Sequence, residues 1–478
     1  MIVMKFGGSS VADAERLRIV ADIVGARVDH SPLVVVCALA GVTSLLDEAA
    51  RCARGRDGSG ASRAIEQVGK RHALALEAVE DPASRASLAG KFEAILSELR
   101  LLLSGLEILG EATPRSLDAI LAGGERLSSH LAAAVLGGRG LPARRVDARQ
   151  VLVTDDRHGA SRPLPVPTAE RCERLLWPLL ECGQIPVLGG FIGATEEGTT
   201  STLGRGGSDL SASFLGALLG AEEIQIWTDV DGMMTADPRL VPSARILPHV
   251  SFDEAAELAY FGAKVLHPAT IHPALDRDIP VRVLNTLRPA SPGTLITRKS
   301  VPAGGGLTGG SAVQAGGLVA ARSRLNETPG PVKAIACKRG LTIVTVASTR
   351  MLMAHGFLAH IFEIFDRHET AVDLVSTSEV SVSLTVDDPR AIKKIREELS
   401  AFAHARTEDG MAIVCMVGEG LLRRSGIAAR AFEALKEINV RMISLGASEI
   451  NLSLVVADTD ADKAVRLLHR AFLEGAPE

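Results

Sequence analysis

Several short segments of this 478-residue chain carry residue types and spacings suited to anionic ligands. In Lys5-Phe6-Gly7-Gly8-Ser9-Ser10 the paired glycines let backbone approach an anion, and Lys5 can set a cation on a transferring phosphate. Ser9 and Ser10 can cap the helical stretch that follows; a plain glycine turn between strand and helix accounts for the same residues. Leu203-Gly204-Arg205-Gly206-Gly207-Ser208-Asp209 is a second glycine-rich turn, in which Arg205 offers a planar fork to a carboxylate. With two such turns, one could hold nucleotide phosphates and the other the acceptor. Trp227-Thr228-Asp229-Val230-Asp231-Gly232, followed by Asp237-Pro238-Arg239, suits hydrogen bonds to an adenine or ribose at a strand end, or is simply an Asp-Gly turn. Lys264, in Phe261-Gly262-Ala263-Lys264-Val265-Leu266-His267-Pro268, is either aimed at nucleotide or a solvated charge. Glu125, just after Gly123-Gly124, can accept from an ammonium group, or is a carboxylate favoured by a helix N-terminus.

The elements that must position these residues follow from apolar periodicity. Ile2 to Phe6, Leu33 to Ala38, Ile185 to Gly190, Glu223 to Thr228 and Val281 to Asn285 are short runs, apolar on both faces, separated by amphipathic stretches. A mostly parallel sheet covered by helices is the expected solution, an α/β doubly wound unit. Glycines crowd Ser300 to Gly330 and suggest a linker. Beyond it, strands at Lys338 to Ala347, Val372 to Thr377 and Val380 to Val386 and helices at His355 to His368 and Pro389 to Phe402 are expected. The order then recurs, with strands at Ile413 to Val417, Val440 to Leu445 and Ile450 to Val456 and helices at Ser425 to Ile438 and Ala461 to Phe472. Ser378-Glu379-Val380-Ser381 realigns with Ser448-Glu449-Ile450-Asn451 at a constant offset of 70, which points to an internal duplication.

Composition narrows the function. A net charge of -5 lacks the basic excess that nucleic-acid binding requires, and aromatics at 3% make no stacking platform, so no nucleic acid is expected as partner. The six cysteines form no CxxC pair and no zinc-type spacing, so they read as reduced thiols, and no metal held by protein ligands is expected. Neither a signal peptide nor a run of transmembrane length is evident, so a cytoplasmic protein without membrane contact is expected.

Taken together and in this order, the segments resemble the aspartate kinases of the amino-acid kinase superfamily, and the resemblance spans essentially the whole chain. It implies an amino-acid kinase fold over 1–299, a Gly-rich linker over 300–331, and two βαββαβ ACT-type (ferredoxin-like) domains over 332–404 and 405–478. It also implies transfer of the ATP γ-phosphate to the side-chain carboxylate of L-aspartate, with Mg²⁺ riding on the phosphates. By the same likeness Lys5 contacts the phosphate in flight, Gly7, Gly8 and Ser9 cradle it, and Asp209 orients charged neighbours. Aspartate is held by Ala38, Thr43, Glu125, Arg205 and Ser208, and Thr228, Asp229, Arg239 and Lys264 line the ATP site. A carboxylate is already ionised at neutral pH, so this chemistry needs no general base, and the sequence offers no obvious one. Cys37 stands where the family often has Ser, and Met234 where many members have Tyr at the ATP site.

Met351, Gly356, Phe357, Leu358, Val372, Asp373, Ser378 and Glu379 resemble the effector pocket of lysine-inhibited aspartate kinases. The likeness implies that Asp373 and Glu379 meet the ammonium groups of lysine and backbone near Gly356 its carboxylate; Ala354 replaces the Ser usual there. A turn residue and a solvated strand end are the plain alternatives for Asp373 and Glu379. Family precedent implies a homodimer joined through the ACT units, and no fused second catalytic domain is expected. Two other readings stand beside this one: a kinase of the same fold acting on another small acid or nucleotide, and a catalytically silent amino-acid sensor.

Overall fold

The computed structural model describes residues 1–262, 270–298, 330–348 and 355–474. Lys264, Met351, Ala354 and all of the expected linker except Gly330 and Pro331 lie outside them. The chain divides into two compact units. The first takes Met1–Met233, Pro248–Phe252 and the described part of 265–299; the second takes Met234–Leu247, 253–262 and the described residues from 330 onward.

An eight-stranded sheet organises the first unit, in the order Ala143–Arg145, Ile185–Gly189, Pro32–Val36, Ile2–Phe6, Glu223–Thr228, Val281–Asn285, Thr294–Thr297, His249–Ser251. Only the pairing of Thr294–Thr297 with Val281–Asn285 is antiparallel. Every residue of Ile2–Phe6, Pro32–Val36 and Ile185–Gly189 is buried, as the continuous apolar runs require of parallel strands covered on both faces. Met4 and Phe6 point into a core shared with the helices Ala14–Gly25, Val42–Arg54 and Pro82–Leu109. Val3 turns the other way, toward the helix Gly207–Leu219, where Gly216 comes close to its side chain.

Register fixes what these strands deliver. Phe6 pairs with Val36 on one side and Trp227 on the other, and Val36 pairs with Gly189, so four carboxyl ends lie level along one edge. The strand Ile2–Phe6 sits between Pro32–Val36 and Glu223–Thr228, making it the place where the connections reverse direction. In open α/β sheets ligands bind in the crevice outside such a switch point. Trp227 is fully buried there, stacked on Phe6 at 6.0 Å, and its indole N–H donates to Gln225 Oε1 at 3.2 Å.

The second unit carries one antiparallel six-stranded sheet, in the order Val375–Thr377, Ser381–Val386, Val332–Ala347, His404–Gly418, Asn451–Ala457, Met442–Leu445. The strands expected to begin at Lys338 and Ile413 begin at Val332 and His404 instead. Polar residues such as Lys338, Arg339, Arg406 and Glu408 break the apolar pattern, yet the backbone pairs through them with local register shifts. Residues 342–347 pair with 404–408 and 381–386, while 332–339 pairs with 412–418, so each long strand serves both repeats. The boundary expected between 404 and 405 falls inside the strand His404–Gly418. The other expected elements of this unit are present with ends shifted by a few residues: the helices Phe357–Arg367 and Ile427–Ala434 are shorter, while the helix Ala461–Leu473 runs one residue further.

Candidate active site

The first strand leaves the sheet at Gly7, whose amide donates to the Trp227 carbonyl at 2.9 Å; the Ser10 hydroxyl donates to the same oxygen at 3.2 Å. Thr286 Oγ1 in turn donates to Ser10 Oγ at 2.7 Å. Ser10 is therefore tied to the sheet, and the serines do not cap the helix. Residues Gly8–Val11 form a 3-10 turn, and the helix Ala14–Gly25 is capped by Asp13, whose carboxylate accepts from the Arg16 amide. Gly8 packs so closely on the chain after the second strand that a Cβ would come within 2.9 Å of the Ala38 carbonyl.

Lys5 lies on the first strand with its side chain 9% exposed, and its Nζ meets Asp209 Oδ1 at 2.6 Å. Burial alone would drive the ammonium toward neutrality, but the charge and hydrogen bond of Asp209, together with Cys37, outweigh it and hold Lys5 above the ordinary lysine range. Asp209 stands in the first turn of Gly207–Leu219, a helix entered through Gly206 at φ 73°, a left-handed conformation that favours glycine. Ser208, from the same turn, is buried and hydrogen-bonds the Cys37 thiol. Burial pushes that thiol up, opposed by Lys5, so it stays protonated and able to donate.

Glu125 occupies the first turn of the helix Gly123–Gly138 and is 3% exposed. Its Oε1 accepts from the Ala38 amide at 3.1 Å, and its Oε2 has no hydrogen-bond partner. Burial pushes its pKa up to about 8. A cation arriving beside it would restore the charge and fill the empty acceptor.

These groups line one cavity of about 350 Å³, with walls that include Lys5, Gly8, Cys37, Ala38, Thr43, Glu125, Ser208 and Asp209. Three helices of at least 13 residues, Val42–Arg54, Gly123–Gly138 and Gly207–Leu219, each contribute first-turn residues to it. Their amino ends add positive potential, which suits a dicarboxylate or a phosphate. Phe191, which sequence reasoning passed over, also lines the cavity, and it does so at φ 66°. Its signal was the Gly189-Gly190 pair just before it, where a Cβ would come within 2.9 Å of Glu125 and 2.8 Å of Ser208, so only glycine lets those residues close in.

Other expected site residues lie apart from that wall. Gly7 and Ser9 belong to the turn but do not line the cavity. Arg205 is exposed between Gly204 and Gly206, which do. Thr228 is half-buried at the end of its strand and donates to Asp229 Oδ1 at 3.2 Å, with Asp229 exposed. Arg239 belongs to the second unit, is exposed, and forks onto Asp237 at 2.6 Å.

Among the residues likened to an effector pocket, Asp373 is already engaged. Lys338 Nζ reaches both its oxygens, at 2.9 and 3.0 Å, and the Tyr260 hydroxyl donates to it as well. Burial, reinforced by Asp373, holds the Tyr260 hydroxyl above its usual range. Gly356 opens the helix Phe357–Arg367 at φ 78°; Phe357 and Val372 are half-buried, and Leu358, Ser378 and Glu379 are exposed.

With this geometry in place, comparison with known proteins finds matches along the chain. Residues 1–285 match the model of the amino acid kinase family, and residues 414–472 match an ACT domain model. Lysine-sensitive aspartokinase 3 of Escherichia coli is 36% identical over 487 residues, covering 99% of both chains. The chloroplastic aspartokinase 1 of Arabidopsis thaliana is 38% identical, covering 99% of this chain and 80% of that one. The crystal structure of E. coli aspartokinase III with aspartate and ADP, described as the R-state, superimposes with a TM-score of 0.81 at 35% identity over 98% of this chain and 99% of that one. Its T-state counterpart with lysine and aspartate gives 0.79 at 35% identity, over 99% of each chain.

Proposed function

This chain belongs to the amino acid kinase family, and from that premise we infer that it is an aspartate kinase, transferring the γ-phosphate of ATP to the side-chain carboxylate of L-aspartate under the control of its ACT region. The observation that carries the reading is the shared cavity: an unpartnered Glu125 oxygen and the Lys5–Asp209 pair face one space walled by helix amino ends.

The aspartate ammonium is placed on Glu125, with its carboxylates toward the amides around Ala38, Thr43 and Ser208 and the turn carrying Arg205. The nucleophile is the ionised side-chain carboxylate, so positioning and charge neutralisation supply the catalysis. Lys5 follows the charge as it spreads over the transferred group, with the Gly8 and Ser9 amides offering backbone donors, while the Gly7 amide is taken by the Trp227 carbonyl and anchors the turn. Asp209 keeps Lys5 charged and aimed. Thr228, Asp229, Arg239 and Lys264 are assigned to the nucleotide. Asp209 is paired with Lys5 and Glu125 is assigned to the substrate ammonium, so Mg²⁺ is expected to travel on the ATP phosphates, whose charge it neutralises.

The ACT region over 332–478 is proposed to bind lysine at Asp373, Glu379 and the amides near Gly356, and to join two copies into a homodimer. No helix among the described residues is long and apolar enough to cross a membrane, and we place the enzyme in the cytoplasm. The deciding experiment is a hydroxamate assay with ATP and, in turn, aspartate, glutamate and N-acetylglutamate. Acyl phosphate from aspartate alone is expected; preference for either other acid, or no turnover, would sink the reading.

A further inference from the structure

Asp118 is wholly buried in the first unit, and the chemistry just described does not use it. Oδ1 accepts from the Thr202 hydroxyl at 2.5 Å and the Gly159 amide at 3.1 Å. Oδ2 accepts from His158 Nδ1 at 2.8 Å and from the same amide at 3.1 Å. Both oxygens are thus filled by the chain's own donors, and nothing is left over for a ligand. What such a carboxylate does is hold together the segments that supply those donors.

Those segments converge on the substrate cavity. Asp118 sits on the helix Pro114–Leu121, which runs through Ala122 into the helix Gly123–Gly138, placing Glu125 seven residues on. Thr202 ends the strand Thr200–Thr202, which leads directly into Leu203-Gly204-Arg205-Gly206. His158 and Gly159 belong to a loop packed against that turn: a Cβ on Gly204 would lie 3.1 Å from the Gly159 carbonyl, and the Ser161 amide donates to the Thr202 carbonyl at 2.9 Å. One buried carboxylate therefore links the segment bearing Glu125 to the turn bearing Arg205.

We propose that Asp118 is a positioning residue that fixes the spacing between Glu125 and the Arg205 turn, and through it the length of amino acid the cavity accepts. The proposal rests on reading Glu125 and Arg205 as the groups that hold the substrate's ammonium and carboxylate. Loss of a single donor or acceptor in a satisfied buried cluster leaves its partners unpaired and lets the segments shift. Displacements of this kind far from the reacting atoms are felt in turnover and binding.

Steady-state kinetics on the full-length enzyme, with aspartate and ATP varied separately, test it. Asp118→Asn is expected to raise the aspartate KM about tenfold and to narrow the preference for aspartate over glutamate, with the ATP KM within about twofold of wild type. Thr202→Val, which keeps the shape and removes one donor, should shift the same quantities in the same direction by about threefold. Should Asp118→Asn not fold, Thr202→Val decides. Wild-type aspartate KM and selectivity in a folded variant overturn the proposal, as does a uniform loss of activity that only tracks the folded fraction in a melting curve. Arg205→Ala separates the premise: an unchanged aspartate KM there removes Arg205 from the site, and the proposal falls with it, whatever the Asp118 variant shows.

Discussion

Two buried lysine–aspartate pairs, one in each unit, are made of the same groups and left in opposite states. Lys5 and Asp209 meet at 2.6 Å with 9% and 13% of their side chains exposed, and they open onto the cavity. Lys338 and Asp373 meet at 2.9 Å with 18% and 2% exposed, but the second pair has further side-chain partners. Tyr260 donates to Asp373, its ring lies 4.4 Å from the Lys338 ammonium, and Asp387 takes the same ammonium at 3.0 Å. The first pair has a ligand's place beside it; at the second, an effector ammonium must displace a resident one. A buried ion pair is weak evidence of stability or function by itself, and what distinguishes these two is the space around them.

Identical substitutions should therefore have opposite consequences. Lys5→Met is expected to cost about 10²-fold or more in kcat, by analogy with a lost oxyanion donor, in a protein whose circular dichroism is unchanged. Near-wild-type turnover would break the comparison at its catalytic end. Lys338→Met instead vacates the place an effector ammonium would take, and the lysine concentration for half-inhibition is expected to fall by about tenfold. An enzyme indifferent to millimolar lysine before and after the change would remove the effector reading.

A third test uses pH. Below about 8 Glu125 carries a proton, and only its anion attracts the substrate ammonium. Aspartate KM should fall as pH rises, by close to tenfold per unit well below that value, and level off above it. Glu125→Gln should bind aspartate more weakly and lose that dependence; an unchanged profile in the variant would assign the titration to another group. The smallest effect is expected from Cys37→Ser, where a hydroxyl donates more strongly than the buried thiol and should lower the aspartate KM by about threefold. A raised KM there would show that size rather than hydrogen bonding governs the position.

Five of the eight strands in the sheet of the first unit could be read from the sequence, because strands buried on both faces are written as unbroken apolar runs; the short strands Ala143–Arg145, Thr294–Thr297 and His249–Ser251 were not read. Ile2–Phe6, Glu223–Thr228 and Val281–Asn285 have the expected bounds. The long strands of the second unit could not, since pairing with a partner strand carried the backbone through Lys338 and Arg339 where local polarity argued for an end. At the site, the residue types of Lys5, Glu125, Ser208 and Asp209 were informative because Lys5 stands just before a glycine pair, and the other three just after one, at an element boundary. The side-chain hydrogen bonds of Ser10 and Asp118 reach partners 40 or more positions away in sequence, and no local pattern records them. Asp13 was passed over as a cap because the serines before it were equally good candidates by type.

Trp227 gives the chain an optical property of its own. The molecule has two tryptophans, and Trp177 is 37% exposed while Trp227 is fully enclosed. The Arg27 guanidinium lies 4.7 Å from the Trp227 ring centroid, and the Trp227 carbonyl receives the Gly7 amide that begins the glycine turn. In a Trp177→Phe background the remaining indole emits from a buried, charged setting joined by one backbone hydrogen bond to the turn proposed to meet the nucleotide phosphate. Occupancy of that turn can then be followed as a change in intrinsic fluorescence, without a label and without turnover.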